Sequence, residues 1–237
     1  MIVATIGIPR SGTTWMYNLV LTLAGHHRAT LVDGYFIDVG DRLETLMANS
    51  DERTLVVKTH VGSPDFWQTM PSDAHFFITT RDVRDGIASS RVMFPFVQFE
   101  QAIAYSRVAA DFSFQAAEHG NALVFRYEDK FFEKLSTVTA VANQLGIPLS
   151  SEHAQTILDQ LSRKKIIETI RKLQEDGIIG GDDDAASHDP LTQWHPGHVK
   201  DGRIGKYRDI LSEEESALIN ESFEDYMRHF YAKMSTV

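Results

Sequence analysis

Gly7-Ile8-Pro9-Arg10-Ser11-Gly12-Thr13-Thr14-Trp15 brings together residue types that hold an anion. Gly7 and Gly12 allow the backbone to turn tightly and approach a charged group. The amides of Ser11 to Thr14 then open a helix, whose N-terminus attracts negative charge. The Thr13 and Thr14 hydroxyls add donors, and Arg10 adds a planar cation that can grip two oxygens. The spacing is nearly that of the nucleotide-triphosphate loop G-x-x-x-x-G-K-[ST]. Thr13 occupies the lysine position of that pattern, and the cation sits inside the loop instead, at Arg10. An ordinary strand-to-helix turn capped by Ser or Thr is the plainer reading of the loop taken alone.

Further reactive residues follow three other apolar runs. Leu55-Val56-Val57 leads into Lys58-Thr59-His60, His75 to Thr80 into Arg81-Asp82, and Ala122 to Phe125 into Arg126-Tyr127-Glu128-Asp129. His60 has the intrinsic pKa to take a proton from an acceptor near neutral pH. Lys58 and Arg10 can neutralise charge that develops on a leaving oxygen. Positioning and charge suffice for such a group transfer, so no metal is expected.

These residues need a scaffold that gathers them. Ile2 to Ile6 and the other three runs are short, β-rich and without alternation, as in parallel strands buried on both faces. Parallel sheets bind ligands at the carboxyl ends of their strands. That edge then carries Arg10, Lys58, His60, Arg81 and Tyr127. The fold class expected is a single α/β domain over residues 1–237, a central parallel sheet flanked by helices in a P-loop-like architecture.

With these elements in order, the chain resembles the cytosolic-type sulfotransferases, which use 3'-phosphoadenosine 5'-phosphosulfate (PAPS) and release its desulfated product, PAP. Pro9 to Trp15 is similar to that family's 5'-phosphosulfate loop P-K-S-G-T-T-W, with Arg10 in place of the lysine. Lys58-Thr59-His60 resembles the K-T-H element that carries the catalytic histidine. Arg81 to Ser89 resembles the 3'-phosphate motif R-x-x-[KR]-D-x-x-x-S, which implies that Arg81 and Ser89 grip that phosphate. Tyr127-Glu128-Asp129 resembles the Y-E-D element, whose tyrosine lies near the adenine. Lys200-Asp201-Gly202-Arg203-Ile204-Gly205-Lys206-Tyr207 is similar to the late R-K-G-x-x-G-x-W segment, departing from it at Lys200 and Tyr207. The resemblance implies catalytic roles for His60, Lys58 and Arg10. It implies donor binding by Arg10, Ser11, Gly12, Thr13, Thr14, Trp15, Arg81, Ser89, Tyr127, Lys200, Asp201 and Gly202.

Trp15 has two readings, a stack on adenine or a core aromatic of the first helix. Arg84 and Asp85 read as a local ion pair at a helix start. A small-molecule, lipid or carbohydrate acceptor is expected. Tyr35, Phe36, Phe66, Trp67, Phe94, Phe96, Phe99 and Trp194 are candidates for lining its pocket, with Phe94, Phe96 and Phe99 preferred. A P-loop kinase and a non-catalytic nucleotide-binding module of the same fold remain open alternatives.

Composition bounds the rest. The 237 residues suit one domain with a sizeable core. The absence of cysteine excludes a disulfide framework, a thiolate metal site and a cysteine nucleophile. A net charge of −10 argues against general nucleic-acid binding. No run reaches the roughly 18 apolar residues of a membrane span, and a cytoplasmic protein is expected. Helices are predicted over 13–24, 82–93, 98–118, 130–145, 151–161, 164–175 and 212–233. Residues 177–202 form the one long irregular stretch and read as a lid over the acceptor site, with a disordered surface loop the alternative for the acidic part. Within it, His195 and His198 read as surface or substrate-contacting residues, because Pro196-Gly197 breaks any helix between them.

Overall fold

The computed structural model describes residues 1–24, 28–32, 54–62, 66–181, 184, 187–199 and 201–231. Lys200, Tyr35 and Phe36 lie outside the described residues, as do parts of 177–202. Five strands form one parallel sheet: β1 (Ile2–Gly7), β2 (Arg28–Val32), β3 (Thr54–Thr59), β4 (His75–Thr80) and β5 (Ala122–Arg126), in the order β2-β3-β1-β4-β5. β1 is therefore central, and every residue in it is buried. Its side chains alternate between two cores, as a strand covered on both faces requires. Val3 joins Val56, Phe77 and the first helix; Ala4 and Ile6 join Leu55, Val57, Phe76 and Phe112.

The helices are α1 (Thr13–Ala24), α2 (Phe66–Thr69), α3 (Val83–Met93), α4 (Phe99–Ala117), α5 (Leu135–Gln144), α6 (Ser151–Gln160), α7 (Arg163–Glu175), α8 (Glu213–Ser222) and α9 (Glu224–Tyr231). α1 and α3 start where the sequence predicts, α3 with Asp82 as its N-cap.

Three expectations change. The edge strand β2 was not foreseen; its run is short and stands alone. The helix predicted over 130–145 begins only at Leu135. Two 3₁₀ turns, Tyr127–Asp129 and Phe131–Glu133, precede it, and Lys130 between them is left-handed at φ 51°. This turn drops Phe131 into the core beneath the glycine loop. The predicted C-terminal helix is two, divided at Phe223, whose φ of −127° takes it out of the helix and whose ring is fully buried.

A third core holds α3, α8 and α9 together through Ile8, Val83, Ile87, Phe223, Tyr226 and Phe230. It fixes the start of α3, and with it Arg81, against the glycine loop.

Candidate active site

Strand register aligns the ends that carry the chemistry. Ile6 pairs with Thr59, Gly7 with Thr79, and Thr80 with Arg126. Gly7 and the residues after β3, β4 and β5 therefore come to one edge of the sheet.

The glycine loop leaves no room for side chains at its hinge. A Cβ on Gly7 would stand 2.3 Å from the Thr79 carbonyl oxygen and 2.7 Å from Ser11 Oγ. Gly12 has a φ of 92°, and a Cβ there would meet Phe131 Cζ at 2.9 Å. Arg10 is also left-handed, at φ 67°. Its Nε donates to Ser89 Oγ at 3.2 Å and its Nη2 to the His198 carbonyl at 3.0 Å.

The Ser11 and Thr13 hydroxyls point inward, which corrects the expected role of Thr13. Ser11 Oγ donates to the Ile8 carbonyl at 2.7 Å and contacts Thr79 Oγ1 at 2.8 Å. Thr13 Oγ1 lies 2.9 Å from Thr79 Oγ1 and 3.1 Å from Ser11 Oγ. All three residues are buried. The Thr13 hydroxyl therefore braces the loop against β4 instead of offering a donor to a ligand. Beside Arg10, the main chain offers an anion its donors: the first amides of α1 have no carbonyl four residues back to bond.

Lys58 is the penultimate residue of β3 and is 8% exposed. His60 follows one residue after the strand, its Nδ1 2.6 Å from the Gly7 carbonyl oxygen. A carbonyl only accepts, so Nδ1 carries the hydrogen and Nε2 the lone pair. The glycine loop itself thus sets the tautomer of the histidine. The Tyr105 ring stands edge-on at 6.4 Å.

Arg81 is 4% exposed and links three regions. Its Nη1 donates to the Arg10 carbonyl at 3.0 Å and its Nη2 to the Arg203 carbonyl at 3.2 Å. Its guanidinium carbon lies 4.1 Å from the Tyr127 ring centre. Its one ion pair, to Asp85, is long at 3.7 Å, and its Nε is buried with no hydrogen-bond partner among the described residues. A buried cation compensated so incompletely suits an anionic ligand. Burial raises the Tyr127 hydroxyl pKa, against Arg81 and Arg10, which pull it down. Ser89 is 4% exposed beside Arg10. Gly202 lies next to Tyr127, at φ 69°. Asp201 is exposed and accepts the Arg203 amide.

Trp15 belongs to the core. Its indole N–H donates to the Leu161 carbonyl at 2.9 Å and its ring meets Phe131 edge-on. Of the acceptor candidates, Phe66, Trp67 and Trp194 are also packed in cores, and Phe99 packs against the third. Phe94 and Phe96 stand at the surface, Phe96 70% exposed, with Phe94 6.4 Å from the His195 ring.

The expected Arg84–Asp85 pair does not form. Arg84 pairs with Asp82 at 2.6 Å. Asp85, fully buried, accepts the Gly205 amide at 2.6 Å and the Tyr207 amide at 3.0 Å. A cavity of about 270 Å³ beside this link is lined by Asp82, Arg84, Glu128, Gly205, Tyr207 and Tyr231 among others; neither Lys58 nor His60 lines it.

Solved structures share this arrangement of elements. A retinol dehydratase in complex with androsterone and the inactive cofactor PAP aligns over 96% of this chain and 80% of its own, at 18% identity and a TM-score of 0.63. A retinol dehydratase in complex with retinol and PAP covers 96% and 81%, at 16% identity and 0.62. A mouse sulfotransferase complexed with PAP covers 96% and 84%, at 12% identity and 0.64. The chain has the sulfotransferase fold. No protein-family model and no curated protein sequence matches it.

On this fold the sequence reading under-valued three groups. Lys206 is 7% exposed; burial lowers its pKa, Asp201 opposes that, and Arg81 and Arg10 lower it further, so it shares their neighbourhood. Asp85 ties the late segment to α3. His195 and His198 stand at the site, with ring centres 3.9 Å apart. Only Lys206 had a sequence signal, its place in the late G-x-x-G-x segment. Residues 187–199 are docked, not splayed: Asn18 Nδ2 donates to the Thr192 carbonyl at 2.8 Å and the Tyr17 hydroxyl to the Leu191 carbonyl at 3.1 Å. A lid movement of the whole 177–202 stretch would break these bonds and the one from Arg10.

Proposed function

We propose that the chain transfers a sulfuryl group from PAPS to a hydroxyl or amine of a small-molecule, lipid or carbohydrate acceptor, releasing PAP. The observation that carries this reading is the bond between His60 Nδ1 and the Gly7 carbonyl. It joins a base to an anion loop at one strand edge. PAP in all three solved structures supports the choice of donor.

The residues fit such a donor. Arg81, with its buried Nε lacking a partner, and Ser89 would hold the 3'-phosphate. The amides opening α1 and Arg10 would hold the 5'-phosphosulfate. Tyr127, stacked under Arg81, would border the adenine. Gly202 and Asp201, with Lys200, would close the 3' side. When bound, the donor supplies a sulfur atom joined to a phosphate leaving group.

The chain's own part is proton transfer and charge stabilisation. His60 Nε2 takes the proton of the acceptor hydroxyl or amine. Lys58 and Arg10 stabilise the charge left on the departing phosphate oxygen. Phe94 and Phe96 offer the acceptor an apolar rim, in keeping with androsterone and retinol in two of the solved structures.

The test is turnover of radiolabelled PAPS over an acceptor panel. His60→Ala should lose about 100-fold or more in kcat while binding PAP within about threefold of the parent. The acid limb of the pH–rate profile should vanish with it. Near-normal turnover in the variant would return His60 to a structural role.

A further inference from the structure

His195 and His198 share the site and have no part in the mechanism above. They flank the turn at Pro196-Gly197, where Gly197 takes a φ of 66°. The turn is closed by the His198 amide donating to the His195 carbonyl at 3.1 Å. The Trp194 ring, 4% exposed, backs the His198 ring at 5.1 Å. Arg10 Nη2 donates to the His198 carbonyl, so the pair is fastened to the loop cation.

The two imidazoles differ in how their nitrogens are used. His195 Nδ1 lies 3.1 Å from the Pro196 carbonyl and so carries its hydrogen there. His198 Nδ1 is buried with no hydrogen-bond partner among the described residues. A buried polar nitrogen left unpaired is costly, and a ligand atom would relieve it.

The surrounding charges show which kind of ligand. Burial comes first in keeping both rings neutral, bringing the His195 pKa to about 3 and that of His198 well below its ordinary value. Arg10 and Lys58 act on both in the same direction, His188 on His195, and His60 on His198. The charges felt most strongly by the pair are all positive. Phe94, the other ring against His195, is neutral.

We propose that His195 and His198 form a protonatable wall of the anion site, donating to sulfuryl or phosphate oxygens held at Arg10. The identity of the anion rests on the sulfuryl-donor reading; the wall itself does not. An arriving anion cancels the positive field and gives the open Nδ1 an acceptor. The imidazoles then gain proton affinity, so anion binding and proton uptake are linked. Anion affinity should rise as pH falls, the reverse of what His60 needs for turnover.

The test uses the whole chain and two probes, sulfate and PAP. Sulfate does not itself titrate between pH 5 and 8. Histidine ring signals are followed by NMR from pH 8 to 5 in sulfate, in PAP and in chloride of matched ionic strength. Both anions should bring the titrations of His195 and His198 up into this range, whereas in chloride both rings should stay neutral across it. His198→Leu should weaken anion binding about tenfold. His198→Asn, which keeps an N–H near Nδ1, should recover it to within about threefold at pH 8, with a shallower pH dependence left to His195 alone. PAP binding with unchanged histidine pKa values would overturn the proposal and leave the donor reading intact. A response to sulfate without PAP binding would sink the donor reading and leave the wall. Binding of neither anion would overturn both.

Discussion

The glycine loop and the late segment, residues 187–207, build the same site in opposite ways. The loop is local. Its hydroxyl network joins Ser11, Thr13 and Thr79 through strands already paired in register. Its glycine is walled in by the neighbouring strand. Among its described residues the late segment has no strand or α-helix. Distant bonds hold it instead: Asn18 to Thr192, Arg10 to His198, Arg81 to Arg203, and the Gly205 and Tyr207 amides to Asp85. The sheet register itself builds one half of the site, and the other half is held against it by docking contacts. Arg81 and Asp85, one helical turn apart on the sheet half, are the docking points of its 203–207 end.

If that contrast is right, equal substitutions should cost unequal amounts. Gly7→Ala forces a Cβ onto the Thr79 carbonyl and should destabilise by about 3 kcal/mol or more. Gly202→Ala meets only Tyr127 Oη at 3.6 Å and should cost about 1 kcal/mol, for its left-handed φ alone. Urea denaturation of both variants checks this, and equal losses would erase the distinction.

Asp85→Asn sharpens the docking claim. It replaces a buried acceptor of two amides and the sole ion-pair partner of Arg81 found among the described residues. A loss of about 2 kcal/mol is expected. Hydrogen exchange should rise across 201–207 more than across 7–14. A uniform rise would mean that the two halves are not separable.

The smallest effect needs no variant. Unfolded, His195 and His198 take up protons near their ordinary pKa of 6.5; folded, both sit lower, His195 at about 3. Between those values the unfolded chain binds more protons, so the pair's contribution is whole above 6.5 and shrinks as acid is added. From pH 7 to 6 their share of the Tm drop should be about 3 °C. A His195→Phe, His198→Leu double variant should lose that share, and saturating sulfate should reduce it. An unaltered drop in the double variant would assign the acid sensitivity elsewhere.

The same contrast governs what the sequence makes legible. The loop, the strand ends and the start of α3 are contiguous motifs, and the sheet register carries Arg10, Lys58, His60, Arg81 and Tyr127 to one edge. Residues whose partners lie over a hundred positions away were not legible. Asp85 looks like a helix-start partner of Arg84 until Gly205 and Tyr207 are seen on it. His198 looks like a loop residue until Arg10 bonds its carbonyl. Trp15 lies inside the donor motif, yet its indole faces Leu161. The breaks at Lys130 and Phe223 were hidden because tertiary packing of Phe131 and Phe223 outweighs a helical pattern.

The central claim is that Arg81 and the glycine loop together form a site for a nucleotide carrying both 3'- and 5'-phosphates. Isothermal titration with PAP and with adenosine 5'-monophosphate, in the parent chain and in Arg81→Ala, tests it most directly. PAP should bind at least about 30-fold tighter than the monophosphate, and Arg81→Ala should remove most of that preference, a loss of about 2 kcal/mol. Equal affinities in the parent chain, or a preference untouched in Arg81→Ala, would contradict it.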